Sequence, residues 1–217
     1  MFLVAGVSAL TIRWSTSSKP LFKVHAWFGE DAFVASGSSA VVTDGVGGYH
    51  AKHGISSAGV ANKYAKALQS RLGKTDFSRA VSGAWRSVTA PGACVFAAAC
   101  YEEGALSYAA VGDASVRVYR ESRCIARAGG SSGYGAPAQL WIGPDGTRDG
   151  KALNGMAVKR CVLQSGDLIL LCTDGVTDNL EEGDMARKAA SASGIVDSAK
   201  CAGRKDDDIT AIVGVCC

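Results

Sequence analysis

The order of apolar and polar positions predicts a chain built mainly from short strands. Most apolar runs are short, carry β-branched residues and end at glycine or polar turn residues, which is typical of strands. The predicted strands cover residues 2–12, 32–36, 40–43, 93–100, 105–111, 115–120, 124–128, 157–164, 167–173 and 209–216. Turns as short as Glu102-Glu103-Gly104 join neighbouring runs. Because parallel pairs need long crossovers, these strands are expected to pair antiparallel.

A helical period interrupts the strands after residue 48. Apolar residues recur there at three- and four-residue steps, at Ile55, Ala58, Tyr64, Ala65, Leu68 and Leu72. This spacing predicts a helix that Gly73 ends, and Asp76 is suited to cap a second helix through about residue 88. A short helix is predicted over residues 185–192. We therefore expect an α+β fold, in which antiparallel sheets carry helices on their faces.

One stretch shows neither the pattern of a strand nor the period of a helix. Residues 129–155 are rich in Gly, Ser and Pro, with a single apolar island at Leu140-Trp141-Ile142. We interpret this stretch as a long loop, and long loops in compact domains are often functional.

Composition narrows the class of protein. The 217 residues are 47% hydrophobic and 20% charged, which suits one domain over residues 1–217. The net charge is only +3, and the basic residues are scattered, so a nucleic-acid partner is not expected. None of the eight cysteines forms a C-x-x-C pair, and most lie in apolar runs. Reduced, buried thiols in an intracellular protein are therefore favoured over zinc ligands or disulfides.

The apolar start of the chain predicts a strand and not a membrane segment. The run from Met1 to Ile12 falls short of the ~20 residues that span a bilayer, so no membrane partner is expected. Its β-branched content favours a first strand over residues 2–12. The alternative is a mitochondrial presequence, because the stretch to Gly29 holds Arg13, several Ser and Thr and no acid. The expected location is thus cytoplasmic or mitochondrial.

Aspartates recur where apolar strands end. Thr43-Asp44-Gly45-Val46 follows one apolar run, and Thr173-Asp174-Gly175-Val176 follows another. Two buried strands can bring these two carboxylates side by side, where they repel each other unless a cation or a proton holds them. Oxygen ligands without a nearby histidine suit Mg²⁺ or Mn²⁺. A single such aspartate would more often be a turn or capping residue, but the repeated context favours a metal site.

Five motifs occur in an order that resembles a known family. They are Gly29-Glu30-Asp31-Ala32-Phe33, Thr43-Asp44-Gly45-Val46-Gly47-Gly48, Val111-Gly112-Asp113-Ala114, Gly166-Asp167 through Thr173-Asp174-Gly175, and Asp207-Asp208-Ile209-Thr210. Together they resemble the metal-dependent type 2C (PPM-type) serine/threonine protein phosphatases. The form Asp44-Gly45-Val46-Gly47-Gly48 is most similar to the mitochondrial-matrix subgroup of that family.

The resemblance implies a four-layer α-β-β-α sandwich, two antiparallel sheets flanked by helices, with two Mg²⁺ or Mn²⁺ ions in a cleft at one end. It implies that Asp44 bridges both ions, that the Gly45 carbonyl binds one, and that Asp174 and Asp207 bind the other. Glu30 and Asp31 would hold metal-bound waters, and Asp113 would serve a third, weaker site. A monomer would hydrolyse phosphoserine and phosphothreonine in a phosphoprotein, with a metal-activated water as nucleophile and Asp44 and Asp174 acting through it.

Other chemistries are less well matched. No cysteine stands in C-x₅-R, and the glycines after Asp44 fail the G-x-G-x-x-G pattern. Asp206-x-Asp208-x-Thr210 spells the D-x-D-x-T of aspartate-nucleophile phosphatases, but Gly203-Arg204-Lys205 precedes it where an apolar strand is needed. A pseudophosphatase that binds phosphoproteins or regulates a partner stays an alternative.

The chain also departs from the family pattern. No arginine lies between Arg13 and Arg71 to grip the substrate phosphate, which leaves Lys23 and His25 as weak candidates. The stretch between Gly175 and Asp207 is shorter than the family usually has. Gln139-Leu140 falls where relatives carry a Gln-Leu pair, beside the cleft.

Overall fold

The computed structural model describes residues 10–21, 29–130 and 137–217. Twelve strands lie in these ranges: β1 (Ile12–Lys19), β2 (Ala32–Ser36), β3 (Ser39–Gly45), β4 (Gly92–Glu102), β5 (Ala105–Val111), β6 (Ser115–Arg120), β7 (Arg123–Gly129), β8 (Leu140–Ile142), β9 (Arg148–Asp149), β10 (Lys159–Val162), β11 (Leu168–Cys172) and β12 (Ile209–Cys216). The same ranges hold six α-helices: α1 (Gly47–His53), α2 (Ala58–Gln69), α3 (Phe77–Ser87), α4 (Asp174–Thr177), α5 (Glu182–Lys188) and α6 (Ala192–Ala202).

Two antiparallel sheets form the centre of the molecule. One has the strand order β1-β12-β11-β6-β7, and the other has the order β10-β5-β4-β3-β2, to which β8 and β9 attach through β4. Every strand pair within them is antiparallel. The prediction of antiparallel pairing from short turns is confirmed.

Successive side chains of the central strands pack on opposite faces of their sheet, and this produces four layers. On β4, Val95, Ala97 and Ala99 pack in the cluster between the sheets, while Phe96 and Ala98 face the cluster under α2 and α3. On β11, Ile169 and Leu171 likewise face the other sheet. Leu170 and Cys172 face α4, α5 and α6. Successive strand residues point to opposite faces, so a continuous apolar run fits a strand that is buried on both sides. The α-β-β-α sandwich is confirmed.

The predicted first strand is wrong in its bounds. The observed β1 begins at Ile12, where the prediction ends, and runs to Lys19; residues 2–9 of the predicted strand lie outside the described residues. Within the described ranges β1 is an edge strand whose one partner is β12, from Ile12 opposite Cys216 to Lys19 opposite Ile209. An edge strand exposes one side to water, so its polar sequence carries little of the apolar signal that marks a buried strand.

The helices depart from the predictions in two places. The predicted helix from residue 55 is confirmed as α2, but Gly54, with φ at +68°, ends a separate α1 before it. The short helix predicted over 185–192 is wrong in position, because two helices, α5 and α6, occupy this region. The second of these was missed, although Ile195, Val196 and Ala199 form a buried face at helical spacing. The Asp76 cap of α3 is confirmed, since its side chain accepts a hydrogen bond from Arg79 N at 3.1 Å.

The long loop predicted over 129–155 is also partly wrong. The apolar island at 140–142 is strand β8, which pairs with β4, while β9 pairs back onto β8. Leu140 and Ile142 are buried and Trp141 between them is 37% exposed, the alternation of a strand with one face inward. The three residues were too short a run to reveal that period.

No helix among the described residues is long and apolar enough to cross a membrane.

Candidate metal centre

Strand β3 delivers Asp44 to the end of the sandwich. Every residue of the strand is buried except Asp44, which is half-buried and stands opposite Val95 of β4. The Thr43 hydroxyl lies 3.0 and 3.1 Å from the carbonyl oxygens of Ala61 and Ala32, which ties β3 to α2 and β2. A Cβ on Gly45 would lie only 2.7 Å from the carbonyl oxygen of Glu30, so glycine is required for this close backbone approach.

Glu30 and Asp31 lie just before β2, next to the end of β3. The Glu30 side chain is fully buried, and its Oε1 accepts hydrogen bonds from Ser57 N at 2.8 Å and Ser56 Oγ at 3.0 Å. Asp31 accepts a hydrogen bond from the Thr173 hydroxyl at 3.0 Å through Oδ2. Its Oδ1 is buried and has no hydrogen-bond partner among the described residues.

Asp174 and Asp207 come from two loops in backbone contact. Asp174 begins α4, and its Oδ1 is buried with no hydrogen-bond partner within the described ranges. A Cβ on the next residue, Gly175, would overlap the carbonyl oxygen of Asp208. Asp113 joins them from the turn after β5, where Gly112 has a φ of +82°.

These acids share one cleft of about 370 Å³. Its lining includes Asp44 with Gly45, and Asp113, Asp174 and Asp207. Burial raises the pKa of Asp44 well above its ordinary value, and the nearby charges of Asp31, Asp174, Asp207 and Asp113 raise it further. The structure therefore brings five of the predicted acids into one electrostatic cluster: Asp31, Asp44, Asp113, Asp174 and Asp207.

Asp31 belongs to the same cluster. Burial, followed by the charges of Asp208 and Asp207, raises the pKa of Asp31 to about 8, although hydrogen bonds from Thr210 and Thr173 act in the opposite direction. Carboxyl groups that hold their protons this strongly favour a neutralising cation nearby.

Sequence reasoning missed Lys205, the cation at the centre of this cluster. Its ammonium nitrogen lies 2.5 Å from Asp174 Oδ2, 2.8 Å from Asp178 Oδ2 and 3.1 Å from Asp207 Oδ2. Although burial lowers the pKa of Lys205, hydrogen bonds to Asp174 and Asp178 raise it well above its ordinary value. The only signal in the sequence was a lysine directly before three aspartates.

A buried asparagine holds Lys205 in position. Asn179 is 1% exposed, and its Oδ1 accepts hydrogen bonds from Arg204 N at 2.6 Å and Lys205 N at 2.9 Å. Its Nδ2 donates to the carbonyl oxygens of Lys205 at 3.1 Å and Gly175 at 2.8 Å. One side chain thus joins the segment of Asp174 to the segment of Asp207.

The donor set fits Mg²⁺ or Mn²⁺, with one rearrangement. In the observed side-chain positions, no three His, Cys, Asp or Glu residues in the described part of the chain enclose a metal position. The cluster nevertheless offers carboxylate oxygens from separate elements, and two buried ones, Asp31 Oδ1 and Asp174 Oδ1, lack hydrogen-bond partners among the described residues. Hard oxygen ligands of this kind suit these cations. A cation that binds Asp174 Oδ2 or Asp207 Oδ2 would displace Lys205 from that oxygen.

Removal of the Lys205 charge is expected to strengthen cation binding. The variant Lys205→Met keeps the aliphatic stem but no longer competes for Asp174 and Asp207. We expect the affinity for Mn²⁺, measured by isothermal titration calorimetry, to rise about tenfold, the scale of one partly exposed charge at a few ångströms. Lys200→Met, at an exposed position on α6, is the control and should leave the affinity unchanged. Equal affinity in both variants would contradict a competition between Lys205 and the cation.

The competing chemistries gain no support from the geometry. Asp208 of the D-x-D-x-T string is 3% exposed, and its carboxylate accepts hydrogen bonds from Leu21 N and Glu30 N, both at 2.6 Å. It therefore holds the backbone together and is not available as an acid or base for Asp206, the first acid of the string and its nucleophile position. Burial raises the pKa of the Cys94 and Cys172 thiols, which disfavours the reactive thiolate. Lys23 and His25 lie outside the described residues.

The fold is that of the PP2C-type serine/threonine phosphatases. The photosystem II phosphatase PBCP matches with a TM-score of 0.79 at 21% identity, over 94% of this chain and 98% of that one. The catalytic domain of the phosphatase PstP, in complex with two manganese ions, matches with a TM-score of 0.68 at 16% identity, over 96% and 99% of the two chains. The PP2C domain of SpoIIE from Bacillus subtilis, with part of its regulatory domain, matches with a TM-score of 0.60 at 16% identity, over 96% and 64%.

The family model of stage II sporulation protein E (SpoIIE) matches residues 35–214, and the chain belongs to this family. A search of curated protein sequences finds no significant match.

Proposed function

We propose that the chain hydrolyses phosphoserine and phosphothreonine in phosphoproteins with the help of two Mg²⁺ or Mn²⁺ ions. One observation carries the proposal: acids from four separate segments line one cleft at the end of the sandwich, the charge of Asp31 lies close to Asp44, and two buried carboxylate oxygens lack hydrogen-bond partners among the described residues. The fold shared with PP2C-type phosphatases supports the same chemistry.

Each residue has a distinct task in this proposal. Asp44 would be a ligand of both ions, the Gly45 carbonyl of one, and Asp174 and Asp207 of the other, while Asp113 would serve a third site. When bound, the cations would lower the pKa of a water and offset charge on the phosphoryl oxygens. Glu30 and Asp31 would accept hydrogen bonds from metal-bound water. No side chain of the protein needs to form a covalent bond to phosphorus.

Three residues are candidates for binding the substrate phosphate. Lys23 and His25 stay predictions from the sequence. Lys205 is a further candidate, because its ammonium group pairs with Asp174 and Asp207 and would be released when cations bind these two acids.

The domain extent, oligomeric state, partners and location of the protein are proposed from the sequence. We propose one phosphatase domain over residues 1–217 that acts as a monomer, with no nucleic-acid or membrane partner. The reduced cysteines favour an intracellular location, cytoplasmic or mitochondrial. The comparisons do not support the mitochondrial subgroup, nor do they support the alternative of a pseudophosphatase.

The response to inhibitors tests the proposed mechanism. We expect the purified protein to hydrolyse p-nitrophenyl phosphate and a phosphothreonine peptide with Mn²⁺, to lose this activity in EDTA, and to keep it after treatment with N-ethylmaleimide. The activity should return when Mn²⁺ is added in excess of EDTA. Sensitivity to the thiol reagent together with resistance to the chelator would favour a cysteine mechanism instead.

A further inference from the structure

A second, larger cavity opens beside the acidic cleft. It has a volume of about 700 Å³, within the range of ligand-binding pockets. Its walls come from α1 and from the β8–β9 hairpin with the turn that joins these two strands. Tyr49, His53 and Trp141 supply aromatic surface, and Lys52 supplies a positive charge.

The two walls are held at a fixed separation. The Tyr49 hydroxyl donates a hydrogen bond to the carbonyl oxygen of Ile142 at 2.7 Å, so α1 is tied directly to β8. Tyr49 and His53 pack with ring centroids 4.6 Å apart. In the turn, Thr147 donates from its backbone N and its hydroxyl to the Asp145 carboxylate at 2.9 and 2.8 Å. The cavity is therefore preformed, which lowers the entropic cost of filling it.

The cavity continues into the acidic cleft. Val46 and Gln139 line both spaces, and Val46 directly follows the Gly45 carbonyl proposed to bind a cation. A polypeptide advances at most ~3.5 Å per residue, so a residue up to three positions from a phosphoresidue in the cleft can reach the neighbouring space. Both spaces can thus hold parts of one extended peptide.

We propose that this cavity, formed by α1 and the β8–β9 hairpin, binds an aromatic side chain that lies within three residues of the phosphoserine or phosphothreonine. The inference rests on the proposed phosphatase function and adds a substrate preference to it. Aromatic rings favour offset or edge contacts with other rings, and Tyr49, His53 and Trp141 supply partners of this kind. The large fraction of apolar wall favours a ring over a charged or small side chain.

Peptide binding tests this preference without relying on turnover. The probes are peptides with a non-hydrolysable phosphonate analogue of phosphothreonine, in which one Phe is moved through the three positions on either side. With Mn²⁺ present, we expect Phe at one position to tighten binding roughly tenfold relative to Ala, as measured by fluorescence anisotropy. Trp141→Ala should reduce this preference to less than twofold.

Two further variants separate a local effect from a disturbed strand. His53→Ala, at an exposed position on α1, should weaken the same preference without touching β8. Ile125→Ala, at a position that is 42% exposed on β7 and outside this cavity, is the control and should keep the full preference. Equal binding of the Phe and Ala peptides at every position, or an unchanged preference in both cavity variants, would overturn the proposal.

Hydrolysis of p-nitrophenyl phosphate, which carries no peptide, is measured in parallel. No turnover of this small substrate with a retained Phe preference would refute the phosphatase function and leave the peptide site standing. Normal turnover with no Phe preference would do the opposite.

Discussion

Asp44→Asn is expected to abolish metal-dependent phosphatase activity. Asparagine has nearly the same shape, but its amide lacks the negative charge and the second carboxylate oxygen that a bridge between two cations requires. Loss of a preorganised electrostatic group costs roughly a hundredfold to a thousandfold in rate. Because Asp44 is proposed to hold both cations, we expect a loss at the upper end of this range or beyond. Asp174→Asn should behave in the same way.

Folding should survive both substitutions. The pKa of Asp44 is raised by burial and by the nearby charges of Asp31, Asp174, Asp207 and Asp113. Removal of one carboxylate therefore relieves repulsion in the metal-free protein. We therefore expect the melting temperature in EDTA to stay level or rise, while the increase produced by Mn²⁺ disappears. Activity with p-nitrophenyl phosphate and thermal unfolding with and without Mn²⁺ give both readouts.

Asp197→Asn is the matched control, since Asp197 lies at an exposed position on α6. It should retain both the activity and the response of the melting temperature to Mn²⁺. Near-full turnover in Asp44→Asn or Asp174→Asn would show that the assignment of the metal ligands is wrong.

Gly175→Ala is expected to destabilise the fold more than most single substitutions do. A Cβ at this position would overlap the carbonyl oxygen of Asp208 and lie 3.0 Å from its carbonyl carbon and 3.2 Å from Ile209 Cα. All three are backbone atoms, so no change of rotamer can relieve the overlap. The start of α4 and the start of β12 would have to separate, at a cost of about 3 kcal/mol or more in the free energy of unfolding.

Urea denaturation of Gly175→Ala and of Gly183→Ala measures this cost. Gly183 lies in α5, and the atom nearest to a Cβ at this position would be a nitrogen of the flexible Arg187 side chain at 3.5 Å. The control should therefore be neutral or gain about 0.5–1 kcal/mol, because alanine favours the helix. A Gly175→Ala protein as stable as the control would mean that the two loops are not in the contact described.

The buried parts of the fold could be predicted because their signal is local. The run from Cys94 to Cys100 is apolar at every position, since alternate residues face the other sheet and the helices. The polar edge strand β1 escaped because its strand conformation depends on pairing with β12, and the three-residue β8 escaped because it depends on pairing with β4 and β9. Helix α6 was overlooked for a different reason: alanine, glycine and serine dilute its apolar face.

In the candidate site, too, residues with a local sequence signal could be predicted, and residues that depend on distant contacts could not. Asp44 and Asp174 were predicted because each directly follows an apolar strand, a pattern visible in neighbouring residues. The tasks of Asp208 and Lys205 were not, because they depend on contacts across the chain. Asp208 binds the backbone of Leu21, and Lys205 binds Asp174. Such pairs meet only when β1, β11 and β12 have paired in their sheet, so no local pattern in the sequence reveals them.

Asn179 has a consequence for the length of the segment that carries α5 and α6. Its hydrogen bonds to Gly175 on one side and to Arg204 and Lys205 on the other close the excursion through α5 and α6 at its base. Residues can therefore be gained or lost within that excursion while its two ends, and the acids beside them, keep their separation. The length of the segment between Gly175 and Lys205 is therefore not coupled to the separation of the acids at its two ends.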